Sequence, residues 1–257
     1  MLLVIDVGNT NTVLGIFQED VLVEDWRIKT IRDTTADEFN VLLKALFSES
    51  SVVDSGKIER VLISSVVPPA VPILNAFCKK YLKLAAVWIT PALVRSLMPV
   101  LYKNPEEVGA DRIVNSIAAY DKYKTSLIVV DFGTATTFDV ISEKGEYLGG
   151  AITPGIAISS EALFQKASRL PRVEIFQPTD KVIGRDTIES IKSGIIYGYA
   201  SLVDGMVERM KKEMGFSPVV VATGGLSTLI SSVSEKIDRV DESLTLEGLR
   251  IISNALE

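Results

Sequence analysis

This 257-residue chain contains no histidine. That removes the Ser-His-Asp and Cys-His arrangements, histidine metal sites and any imidazole base, so a proton acceptor here has to be a carboxylate. Cysteine occurs once. Cys78 stands among Ala76, Phe77 and Tyr81 in a helical segment, which excludes an internal disulfide and marks a core thiol. Basic charge is also short: 27 Lys and Arg against 33 Asp and Glu leave a net charge of -6. Such a chain offers no field for a phosphate backbone, and nucleic acid is not expected as a partner. Asp6 interrupts the first apolar run, and no stretch approaches the roughly 20 apolar residues of a membrane helix. With no basic segment at the N-terminus either, the expectation is a soluble, untargeted, cytoplasmic protein with no membrane partner.

What is present is a large apolar fraction, 47%, in a chain long enough to bury roughly three quarters of its unfolded surface in one large or two modest cores. Residues 2 to 28 read as three strands, "LLVIDVG", "TVLGIFQ" and "VLVEDWRI". An amphipathic helix "TADEFNVLLKALF" follows, with Thr35 and Glu38 spaced as a capping box. Next come a strand at 60–67 ending at Pro68-Pro69, a helix over 70–82, a strand at 85–90 and a helix near 112–123. Then the pattern restarts: "SLIVVDFG", "TTFDVIS" and "EYLGGAIT" are three strands, followed by helices near 156–168 and 187–214, a strand at 218–225 and helices near 226–234 and 245–256. At an offset of 125, Asp6 meets Asp131, Gly8 meets Gly133, Thr12 meets Thr137 and Ile16 meets Ile141. The economical reading is α/β, two similar halves with a cleft between them, divided near residue 124.

In each copy an apolar strand delivers an Asp, and a Gly then lets the backbone turn close to whatever is bound. Asn9, Thr10, Asn11 and Thr12 in one copy, and Thr134, Thr136 and Thr137 in the other, supply hydroxyl, amide and N–H donors suited to phosphate oxygens. Each Asp can hold a cation or its water shell. The competing explanation is a hairpin whose Gly and Asn only satisfy turn geometry. No G-x-x-x-x-G-K-[ST] occurs, no G-x-G-x-x-G follows the first strand, and "DFG" lacks the His that a protein kinase requires.

The paired loops and the late "ATGG" (222–225) resemble the acetate kinase, sugar kinase, chaperone ATPase and actin superfamily. Within it, "DVGNTNTVLGIF", "TADEF", "ISSVVPP", "NPEEVGADRIVN", "DFGTATTFDVI", "GGAITPGI" and "IGRDTIESIKSGIIYGY", in this order, are similar to the bacterial type III pantothenate kinases over nearly the whole chain. Arg239 in "KIDRVDE" departs from members with histidine there, without touching a named site. The resemblance implies two actin-like (ribonuclease H-like) halves, 1–124 and 125–257, each a mixed five-stranded sheet with flanking helices, an active-site cleft between them and the last helix packed back on the first half. It implies ATP-dependent phosphorylation of pantothenate, the first step of coenzyme A synthesis, with Mg²⁺ and a monovalent cation, potassium or ammonium.

In "YKNPEEVGADRIVN", Asn104, Pro105 and Glu107 have the spacing of a short capped turn, and Asp111 stands where a second helix begins. Its residue-level reading is an N-cap, a position that also keeps a carboxylate ionised. By resemblance Asp111 is the general base, and Tyr102, Gly109, Ala110, Asp111 and Arg112 bind pantothenate. Asp6, Val7, Gly8, Asn9, Thr10, Asn11, Thr12 and Val13 with Thr134 bind ATP, with Asp6 near Mg²⁺ and Asp131 on the monovalent cation. Further on, Ile188, Ile191, Ile195, Tyr199, Leu202 and Met206 mark an apolar helix face, beside a stripe of Ser190, Gly194, Gly198, Ser201 and Gly205. The stripe needs a close neighbour, either a helix of the same chain or a second copy. The resemblance favours a homodimer with Thr187 at the pantothenate site. Two rivals are another small-molecule kinase of the superfamily and a silent nucleotide-binding relative.

Overall fold

The computed structural model describes residues 1–175 and 177–256. Strands β1 (Leu2–Val7), β2 (Asn11–Gln18) and β3 (Val21–Lys29) form an antiparallel meander, and β4 (Arg60–Ser65) and β5 (Ala86–Trp88) add in parallel beyond β1, giving the order β3-β2-β1-β4-β5. β1 is central, and its continuous apolar run is what a strand covered on both faces demands. Leu3, Val4 and Ile5 are fully buried. Helix α1 (Ala36–Glu49) starts at the expected capping box: Glu38 N–H donates to Thr35 Oγ1, and Thr35 N–H donates to Glu38 Oε2 at 2.8 Å. Phe39, Leu43 and Phe47 of α1, with Leu74 and Phe77 of α2 (Ala70–Phe77), cover Leu3, Ile5 and Val7. Cys78 lies in this core, where burial pushes its thiol up to about 11, as expected of an inert side chain. The helix expected over 70–82 changes character at Cys78, where one π turn runs to Leu82 and closes on Lys83 at φ +60. A left-handed residue at this position ends a helix.

The second sheet has strands β6 (Leu127–Phe132), β7 (Ala135–Ile141), β8 (Tyr147–Pro154), β9 (Val219–Thr223) and β10 (Arg239–Val240), in the order β10-β9-β6-β7-β8. With β6 in the place of β1, order and strand directions are the same as in the first sheet. β10 was not foreseen, because two residues carry no readable alternation. The repeat also needs one adjustment. Asp6 lies across from Val13, whereas Asp131 lies across from Thr137. The second loop is therefore one residue shorter and the offset falls to 124 beyond it, so that Thr12 corresponds to Thr136 rather than to Thr137.

Four more helices are α4 (Ile156–Lys166), α5 (Thr187–Met214), α6 (Ser227–Ser231) and α7 (Leu244–Ala255). The buried line of α5 is Ile196, Tyr199, Ala200, Val203 and Val207, packed on Ile128, Val130, Phe132 and Phe138. That line is rotated from the face expected: Ile188 is exposed, and Ile191, Ile195, Leu202 and Met206 are half-buried flanks. The chain divides into two compact units, one of Met1–Ala118 with Leu244–Glu257 and one of Ala119–Ser243. Within the first, α7 is tied down by Thr245 Oγ1 donating to Asn115 Oδ1 at 2.7 Å and by Arg250 donating to Asp20. Gly248 permits its approach, since a Cβ there would lie 2.4 Å from the Val114 carbonyl oxygen.

Candidate active site

In the first unit, β1 ends at Val7 and the chain turns through Gly8, Asn9 and Thr10 into β2, with Gly8 N–H donating to Asn11 O at 3.0 Å. The turn is braced from the end of β3. Thr30 Oγ1 donates to Gly8 O at 2.7 Å, which leaves Thr12 as the donor in the 2.9 Å contact between the two threonine hydroxyls. Arg32 Nη2 donates to Asn9 Oδ1 at 2.9 Å. The loop residues therefore divide by task. Asn9 and Thr10 are exposed, whereas the side chains of Val7 and Thr12 are buried and can offer a ligand only their backbone.

Asp6 sits at the C-terminal end of β1, with Val13 and Ser64 beside it in register and Arg27 one strand further out across from Val13. It is half-buried by surface area but deep among packed atoms, and its pKa is pushed up to about 7. Burial is the main cause and the Asp111 charge the next; Ser64 and Arg27 pull the other way. Ser64 Oγ lies close enough to the Asp6 carboxyl to lower its pKa as a hydrogen-bonding neighbour, but not at ordinary hydrogen-bond geometry. Asp111 comes from helix α3 (Ala110–Tyr123). The turn before it, Pro105–Glu107, forms with Pro105 first as expected, but Asn104 Nδ2 donates to Glu107 Oε1 in place of a capping box.

Asp111 is the second residue of α3, not its N-cap. Gly109 fills the cap position, accepting from Ile113 N–H at 3.3 Å. A Cβ at 109 would lie 2.5 Å from Asp111 Oδ1, so the glycine makes room for the carboxylate. Asp111 Oδ1 accepts from Arg112 N–H at 2.8 Å. Burial raises the Asp111 pKa and outweighs the Arg112 N–H and guanidinium, which lower it. The helix start alone would have kept this carboxyl ionised; desolvation wins. Ala110 and Arg112 are buried, and Tyr102 is at the surface. The first unit thus joins Asp6 to Asp111, with Ser64 and Arg27 as neighbours that sequence reasoning missed. A serine and an arginine in strands look ordinary until the sheet register is known.

In the second unit, Asp131 ends the corresponding strand between Thr137 and Thr223. Gly133 N–H donates to Ala135 O at 3.1 Å, and the loop is closed from behind by Gly155, whose N–H donates to Thr134 O at 3.2 Å. Gly224, at φ +89, packs closely against Asp131; a Cβ there would lie 2.5 Å from Oδ1 and 2.8 Å from the Phe132 backbone. Thr187 is exposed at the start of α5, where Glu189 N–H donates to Asp186 Oδ1 at 2.8 Å, and it lines an open depression of about 600 Å³ with Arg185, Asp186 and Ile191. Further along, Cβ atoms placed on Gly194, Gly198 and Gly205 would meet nothing within 4 Å.

Among the described residues, no group of three or more His, Cys, Asp or Glu side chains could hold a metal ion, and no helix is long and apolar enough to cross a membrane.

Residues 2–209 match the family described as type III pantothenate kinase. The chain is 65% identical over 254 residues to the type III pantothenate kinase of Desulforapulum autotrophicum, covering 99% of this chain and 97% of the relative. Among solved structures it resembles a Campylobacter jejuni protein assigned to the Baf family of transcriptional activators, at TM-score 0.61 and 19% identity over 99% and 98% of the two chains. It also resembles MreB 5 of Spiroplasma citri bound to AMPPNP, at TM-score 0.58 and 11% identity over 99% and 96%. At such identities the structural likeness speaks for the fold alone.

Proposed function

The chain belongs to the type III pantothenate kinases, and from that premise we propose that it transfers the γ-phosphoryl group of ATP to the primary hydroxyl of pantothenate, with Asp111 as the base. The observation that carries this reading is the pair Asp6 and Asp111, both desolvated and in one unit, with the Asp111 charge close enough to raise the pKa of Asp6. Asp111 accepts the hydroxyl proton as that oxygen bonds to phosphorus and ADP leaves. Its raised pKa strengthens it as an acceptor. Gly109, Ala110, Arg112 and Tyr102 hold the pantothenate, with Arg112 facing its carboxylate. Gly8 to Val13 wrap the nucleotide phosphates, and Thr134 contacts ATP from the second loop.

The residues fit a divalent cation that arrives with the nucleotide. Two carboxylates without a third ligand suit Mg²⁺, which keeps several waters and binds partly through substrate phosphates. When bound, Mg²⁺ neutralises charge developing on the phosphates. Asp6 is the residue that would hold its water shell. For potassium or ammonium, Asp131 at the end of β6 is the residue that would hold the ion. We further propose a cytoplasmic homodimer, built on the exposed Gly194, Gly198, Ser201 and Gly205 face of α5, which brings Thr187 to the pantothenate site. In support, a Cβ on any of these three glycines would meet open space, so no helix among the described residues takes up the close approach they permit.

The test is ADP release from ATP and Mg²⁺, with and without pantothenate, in potassium, ammonium and sodium buffers. Release should require pantothenate and be strongly favoured by potassium or ammonium. Pantothenate-independent release would sink the substrate, and equal rates in all three salts would sink the cation site.

A further inference from the structure

Two buried side-chain oxygens among the described residues have no hydrogen-bond partner, Ser64 Oγ and Thr136 Oγ1. Thr136 has a local explanation. It is the second unit's counterpart of Thr12, whose hydroxyl bonds Thr30, and the sheet registers put Gly155 where Thr30 would stand. Ser64 faces the Asp6 carboxyl, whose pKa it lowers, yet makes no hydrogen bond to it of ordinary geometry. It is fully buried, is the penultimate residue of β4, and stands in register with Asp6. Its neighbour Ser65 shows what the same side chain does when satisfied, its hydroxyl accepting from Val67 N–H at 3.0 Å. A buried hydroxyl left unpaired costs stability, whereas an alanine of nearly the same shape would not. Its retention beside a carboxylate points to a partner that arrives from outside the chain.

We propose that Ser64 Oγ binds a water molecule of the divalent cation shell held by Asp6, completing that shell from the β4 side. This rests on the placement of Mg²⁺ at Asp6. A hydroxyl can donate to or accept from such a water, and a metal-bound water is a strong donor that finds in Ser64 an acceptor already free of solvent. Ser64 is thus a binding residue for the nucleotide–metal unit, one strand away from the loop that wraps the phosphates.

The test uses the full-length protein with Ser64→Ala, and Ser65→Ala as the comparison. Melting temperature is measured without ligand, with ADP alone, and with ADP across a Mg²⁺ titration. For Ser64→Ala the ligand-free melting temperature should stay level or rise, while the Mg²⁺ concentration for half-maximal stabilisation by ADP rises about tenfold, the equivalent of one hydrogen bond to a charged group. Ser65→Ala should do the reverse, losing ligand-free stability and keeping the wild-type Mg²⁺ response. If Ser64→Ala destabilises the ligand-free protein and leaves the Mg²⁺ titration unchanged, the hydroxyl is structural and the proposal is overturned. If the wild type shows no Mg²⁺-dependent stabilisation by ADP, the placement of the metal at Asp6 fails first, and the proposal with it.

Discussion

A buried carboxylate is a liability to the ligand-free fold, and Asp6 shows how large the conflict is. With its pKa pushed from 3.8 to about 7, Asp6 keeps its proton between about pH 4 and 7 while the unfolded chain has lost it. Folding then takes up a proton, so stability falls as pH rises through that window and levels off above it. Asp111 is shifted in the same direction. Urea midpoints at pH 5 and pH 8 without divalent metal should show the wild type more stable at the lower pH, and Asp6→Asn should flatten the difference. Equal slopes in the two proteins would remove Asp6 as its source. For Asp111 the expectation concerns rate: Asp111→Asn keeps the fold and loses roughly 10²- to 10⁴-fold in turnover, the range for a positioned base. Turnover close to wild type would rule it out in that role. Asp6 stood out because an apolar strand delivers it to a Gly turn, whereas Asp111 was singled out by the resemblance and its residues alone suggested only an N-cap. Arg27 and Ser64 did not stand out, because only strand pairing sets them next to Asp6.

Single elements were read well where their ends carry chemistry. The capping box fixed the start of α1, and the helix expected near 187–214 is α5, which Asp186 caps and Gly215 ends at φ +73. Reading failed where packing decides. The apolar face of α5 was expected one step around the helix from the line that meets the sheet, because half-buried flank residues are as apolar as buried ones. The α5 glycines carry their own prediction. Gly198→Leu should leave the isolated helix intact or improve it by about 0.5–1 kcal/mol, since the added side chain meets open space and glycine is a poor helix former. Sedimentation at micromolar concentration should then give a monomer where the wild type gives a dimer. A dimeric Gly198→Leu protein would place the interface elsewhere.

At the scale of the molecule, the repeat was visible because the three-strand pattern recurs with its Asp and Gly. The missing residue in the second loop was invisible, since a constant offset still matched Thr12 to a threonine. The return of α7 to the first unit has a consequence for the order of assembly. The second unit is continuous in the chain, Ala119–Ser243, whereas the first also requires Leu244–Glu257. Truncation after residue 243 should therefore cost the first unit its cover over Gly15 and Val114 and leave the protein poorly folded, measured as loss of cooperative unfolding. A chain ending at 243 with the wild-type transition would refute this. During synthesis the half that leaves the ribosome first is the last to be finished, and it has to wait for the final helix to emerge with part of its apolar surface bare.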